Sequence, residues 1–238
     1  MRLSLFTLVI LLVGCLPAPL ADDVSTAVPT AAIQASATAI PSPTVEPTAL
    51  PTRDVLALPT AELLPLITIP ISVYIVDDEN GRLSSSRDVE GLTAVYEKVN
   101  TIWAQANIAI EVAHMQRLTL PTVHAQNIWR GDFRPFFLGI DYDFPLPETS
   151  LINAFYAQEI GGPNGIVPFR TTLFFVNDNP SVHHERVTSH EIGHILGLHH
   201  ALDDRNRLMF SGTNGTLLTP EEVTVARYTA KGLLQNFR

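Results

Sequence analysis

The sequence predicts an α+β fold: a sheet containing one parallel strand–helix–strand unit, a histidine-bearing helix, and a helix that closes the chain. Three observations predict it. β-Branched and aromatic runs at 67–76 and 171–177 read as buried strands. Helical spacing over 84–107 separates the first run from a second strand at 108–112, an order that implies a parallel pair. Four of the eight histidines fall within "SHEIGHILGLHH", residues 189–200.

The chain begins with a segment that is not part of this fold. Arg2 precedes an apolar run over 3–13 that ends in "LVGC", residues 12–15. The run is too short to span a bilayer comfortably and has the length of a signal-peptide core. Cys15 is the only cysteine, and "LVGC" resembles the lipobox of bacterial lipoproteins. That resemblance implies a signal peptide over 1–14, lipidation of Cys15 and a membrane anchor. An ordinary signal peptide cleaved near "APLA", 18–21, is the alternative. Both imply an exported, extracytoplasmic protein, and one cysteine cannot form an internal disulfide there. Residues 15–66 hold nine of the eighteen prolines, many Ala and Thr, and neither glycine nor an aromatic residue. They bury too little apolar surface to fold alone and read as an extended tether, with a cleaved pro-segment as the alternative.

The folded domain is expected over 67–238. "ITIPISVYIV", 67–76, is its first strand, and Pro70 places the early part of it at an edge. Apolar residues at 89, 92, 95, 96, 99, 102, 103 and 106 give the helix its buried stripe. "IAIEV", 108–112, is the second strand, and the proline- and aromatic-rich 113–150 reads as an irregular insertion. Residues 150–157 form the next strand, "GGPN" at 161–164 is a turn, and 165–169 is a short edge strand because Pro168 cannot serve a central ladder. The strand at 171–177 leads into the histidine helix, with Asn179 or Ser181 as its cap and Pro180 in its first turn. Thr219 and Glu222 have capping-box spacing at the start of the last helix, 219–234.

His190 and His194 lie four residues apart, on one face of a helix one turn from each other. Two imidazoles so placed can hold one ion, and Glu191 can reach a water beside it without being a ligand. On an unbroken helix His200 would lie roughly 15 Å beyond His190. The chain must therefore turn back, and Gly197 is where it can, because glycine accepts a left-handed backbone cheaply. His190, His194 and His200 are thus the expected ligands of one catalytic Zn²⁺, with a fourth coordination position left open. Glu191 is the expected general base for hydrolysis. His199 should point away, His183 and His184 read as surface or rim residues, and His114 and His124 follow no pattern.

The set His190, Glu191, His194, Gly197, His200, followed by Met209 in "RNRLMFSG", resembles the signature of the metzincin zinc metallopeptidases. The resemblance implies a metzincin-like mixed twisted sheet with an active-site helix, a C-terminal helix and a substrate cleft between upper and lower parts. It implies that Met209 is the Met-turn, a hydrophobic floor under the metal. It also implies that a protein or peptide substrate lies extended along an antiparallel edge strand, for which Gly165, Ile166 and Val167 are the candidates. Ser211 stands where some branches carry a metal-binding tyrosine, so a fifth ligand of that kind is not expected. No clear calcium loop is present; "DYD", 141–143, reads as a solvated acidic turn.

The expected function is that of an envelope-tethered, monomeric zinc endopeptidase. The alternative is a catalytically silent, zinc-binding adhesion lipoprotein of the same fold. A further alternative, a zinc hydrolase using Glu221 or Glu222 as third ligand, makes His200 dispensable. A formal charge of −9 with only two lysines, Lys98 and Lys231, argues against nucleic acid as a partner.

Overall fold

The computed structural model describes residues 64–134, 151–168 and 171–236. The expected signal peptide with Cys15, the tether as far as residue 63, the "DYD" turn and Phe169 lie outside them. Five strands form one mixed sheet in the order β2–β1–β3–β5–β4: β1 (Ile67–Asp78), β2 (Ile108–Leu120), β3 (Ile152–Ala157), β4 (Gly165–Ile166) and β5 (Leu173–Asn177). All pairings are parallel except that of β4, which runs antiparallel to β5 at the sheet's edge through Gly165–Val176 and Ile166–Phe175. The helices are α1 (Val89–Trp103), α2 (Thr122–Trp129), α3 (His184–Ile195) and α4 (Pro220–Asn236). Among the described residues no helix is long and apolar enough to cross a membrane.

β1 organises the core because its two faces serve different layers. Ile67, Ile69, Ile71, Val73 and Ile75 enter a cluster shared with α1, α3 and α4, while Tyr74 and Val76 pack on the other face with Ile128, Phe133, Phe155 and Phe175. Pro70 sits where the sequence requires it: residues 67–70 pair with β2 alone, and β3 joins only at Ile71. α1 is capped by Asp88, whose carboxylate accepts the Gly91 N–H at 2.7 Å. It buries Leu92, Val95, Tyr96, Val99, Ile102 and Trp103, the expected stripe, except that Val89 is exposed.

Two elements differ from expectation. Residues 113–150 do not begin as an irregular insertion: β2 continues to Leu120, and α2 follows Pro121. The alternation in this half of β2 is weak because it is a half-exposed outer strand, and α2 is short with no side-chain cap. α3 starts at His184 rather than in the 179–181 region, and neither Asn179 nor Ser181 caps it. Ser181 is instead committed to the turn before β4: its N–H donates to Asn164 Oδ1 at 2.8 Å, and its hydroxyl accepts from Asn164 Nδ2 at 2.9 Å.

Two polar links hold α3 in place. Buried Asp178, at the end of β5, accepts the Ser85 hydroxyl at 2.8 Å and the Ser86 N–H at 2.6 Å. Arg87, from the same loop, donates to the Asp178 carbonyl and lies 2.7 Å from His184 Nδ1 in the first turn of α3. Beneath the helix, Tyr156 OH of β3 lies 2.9 Å from Thr188 Oγ1 and donates to Tyr96 OH of α1 at 3.3 Å. Burial raises both phenols, so they remain neutral partners at physiological pH.

Candidate metal centre

α3 carries His190 and His194 one turn apart and then stops in a Schellman motif. Leu198 N–H bonds the Gly193 carbonyl at 2.9 Å, Gly197 N–H bonds that of His194 at 3.1 Å, and Gly197 has φ +83°. The reversal brings His200 back. The three imidazoles each offer a nitrogen, all within 4.8 Å of one another. Ring centroids lie 4.7 Å apart for His190–His194 and His194–His200, and 5.2 Å apart for His190–His200.

Backbone carbonyls select the tautomers. His190 Nδ1 lies 2.8 Å from the Leu208 oxygen and His194 Nδ1 lies 3.0 Å from that of Leu198. A carbonyl only accepts, so both Nδ1 atoms carry the hydrogen and both Nε2 atoms carry the lone pair. His194 Nε2 then faces His200 Nε2 at 3.1 Å. Burial also keeps the rings neutral. It holds His190 well below the ordinary imidazole range, with repulsion from Arg186 and His194 adding to it. It brings His194 down to about 4 and lowers His200, the latter with help from Arg186 and His199. Three neutral imidazoles, two of them held with the Nε2 lone pair free, form a donor set that could hold a metal ion and suits Zn²⁺.

Glu191 is 1% exposed, and burial pushes its carboxyl up to about 8 against the pull of the Arg186 charge. The backbone of β4 lies directly on it: a Cβ at Gly165 would come within 2.6 Å of Glu191 Oε1. Ile166 is buried and Val167 half-exposed, so the strand expected over 165–169 consists of two paired residues. Met209 is fully buried, and a Cβ at Gly193, the residue before His194, would meet its sulfur at 2.6 Å.

The other predicted residues lie elsewhere. His199 and His183 are exposed, and His184 is engaged by Arg87. Glu222 caps α4 and pairs with Arg207 at 2.9 Å, while Glu221 is exposed, so neither supplies the third ligand. Sequence reasoning missed Arg186, which is 2% exposed and donates to the Leu208 carbonyl at 2.9 Å and to that of Phe210. Its signal was available: a charged residue four positions before His190, on the same helix face.

No protein-family model and no curated protein matches the chain. Among solved structures it is similar to an archaemetzincin from Methanopyrus kandleri, at 12% identity and a TM-score of 0.45 over 74% of this chain and 99% of that one.

Proposed function

We propose that this chain is a zinc-dependent endopeptidase of metzincin type, exported and held at the cell envelope by a lipid on Cys15. The observation that carries the catalytic part is the convergence of the His190, His194 and His200 nitrogens beside a buried carboxyl, Glu191, that β4 covers. His190, His194 and His200 would hold the ion. Bound there, Zn²⁺ would supply Lewis acidity, of the kind that polarises a carbonyl and lowers the pKa of water towards neutrality.

The remaining steps belong to the chain's own groups. Glu191 takes the proton of the attacking water on its carboxylate and delivers it to the leaving amine nitrogen, a general base that becomes a general acid. Burial raises this carboxyl in the metal-free site, and a neighbouring dication would draw it back down, towards the range in which one group both takes and returns a proton. Gly165, Ile166 and Val167 align the substrate: among the described residues β4 is an edge strand of the sheet, whose outer side would offer backbone groups to an extended peptide lying in a cleft. Met209 floors the site from beneath Gly193. The working unit is a monomer acting on protein or peptide, not nucleic acid.

The test is cleavage of a mixed peptide library by the zinc-loaded full chain and by its Glu191→Ala variant, with bound zinc quantified in both. Cleavage by the parent alone at equal zinc content is expected. Equal zinc with no cleavage by either would replace the peptidase with the silent zinc-binding lipoprotein.

A further inference from the structure

We propose that Arg186 is a positioning residue for the metal centre: by fixing the Leu208 carbonyl it sets which nitrogen of His190 faces the other two imidazoles. This rests on the zinc-site reading above. Arg186 lies one helical turn before His190 and is almost wholly buried. One terminal nitrogen of its guanidinium reaches two carbonyls, Leu208 at 2.9 Å and Phe210. The Leu208 oxygen is also the partner of His190 Nδ1 at 2.8 Å. A carbonyl oxygen has two lone pairs, and here the arginine takes one and the histidine the other.

The intervening carbonyl is held as well, since Met209 O accepts the Ala201 N–H at 2.9 Å. Three successive carbonyls, 208 to 210, are therefore pinned, two of them to α3 through Arg186. The third is pinned to the residue that follows His200. Arg186 thus connects the first ligand, the methionine segment and the approach of the third ligand in one hydrogen-bonded frame. A guanidinium is suited to this because its planar fork serves two acceptors in fixed directions, whereas a lysine supplies a point charge on a flexible stem. Outer partners of this kind orient a ligand and typically change metal affinity by about ten- to a hundred-fold when removed. A merely structural arginine would affect stability and leave the His190 tautomer alone.

The test uses the full chain labelled with ¹⁵N-histidine, as wild type, Arg186→Met and Arg186→Lys. Ring ¹⁵N shifts in the metal-free protein report the His190 tautomer, and competition with a chromophoric chelator gives the zinc Kd. Wild type is expected to hold His190 as the Nδ1–H form. Arg186→Met should mix the tautomers and weaken zinc about ten- to a hundred-fold. Arg186→Lys should fall between the two, and it decides alone if the methionine variant does not fold. Folded variants with an unchanged tautomer and a Kd within about twofold of wild type would overturn the proposal. A wild type that binds no zinc, yet loses the Nδ1–H form in Arg186→Met, would remove the zinc reading and leave the tautomer relay standing.

Discussion

Gly165 and Glu191 touch so closely that neither position is independent of the other. A Cβ at 165 would lie 2.6 Å from Oε1, 2.8 Å from Cγ and 2.9 Å from Cδ of Glu191. The carboxylate end could swing from such a contact, but the Cγ of a buried side chain has little room to follow. Gly165→Ala should therefore displace Glu191 while leaving the three imidazoles in place. The expected outcome is a zinc Kd within a few-fold of wild type, a kcat lower by about tenfold or more, and a stability loss of about 1–3 kcal/mol from overpacking. Peptide cleavage and zinc titration on the same preparation check it, and unchanged kcat would sink the assignment of Glu191. The three ligands were legible in sequence because their spacing is local: one turn of helix, then a reversal at Gly197. The contact of Gly165 with Glu191 was not, because it depends on how the edge strand lies over α3. The spacing of Arg186 from His190 is equally local, but its partners are backbone carbonyls, so the bonds it makes are not marked by any residue pattern.

At the scale of elements, the end of α3 and the start of α4 do different work. Gly197 ends α3 in a left-handed conformation, and a Cβ there would also come 3.0 Å from Thr229 Oγ1 of α4. Thr219 and Glu222 open α4 with reciprocal bonds, Thr219 N–H to Glu222 Oε2 at 2.8 Å and Glu222 N–H to Thr219 Oγ1 at 3.2 Å. Gly197→Ala should cost about 1–2 kcal/mol through the left-handed backbone alone, and Thr219→Ala about 1 kcal/mol through the lost cap. Only the first should weaken zinc, because only Gly197 directs the return of His200. Urea denaturation paired with zinc competition separates the two, and equal zinc affinities would mean that His200 is positioned without help from the turn. The capping box was readable because Thr219 and Glu222 cap their own helix. The start of α3 was not: Ser181 has a capping side chain, but Asn164 of the turn before β4 claims it, its Nδ2 donating to the Ser181 hydroxyl. The second half of β2 was missed for want of contrast, since a half-exposed outer strand lacks the apolar run that marked β1.

Across the whole molecule, the metal-free site carries two opposing titrations, and both are stability statements. Burial depresses His194 from 6.5 to about 4 and lowers His190 and His200 as well. As pH falls the unfolded chain takes up these protons first, so stability is lost from about 6.5 downward. Glu191 is raised from 4.5 to about 8, so its contribution is fully present below 4.5 and is lost as pH rises towards 8. Between 4.5 and 6.5 the two slopes oppose each other; above 6.5 the histidine slope fades as the unfolded imidazoles lose their protons, and the glutamate slope takes over. Metal-free protein should accordingly lose stability on the acid side through the histidines and on the alkaline side, up to about pH 8, through Glu191. Glu191→Gln should keep the acid limb and abolish the alkaline one up to about pH 8. Urea midpoints measured in chelator from about pH 4 to 9 decide it. A wild-type profile flat between 6.5 and 8 would mean that Glu191 ionises freely in its pocket, and a general base of ordinary acidity would then have to return the proton to the leaving amine.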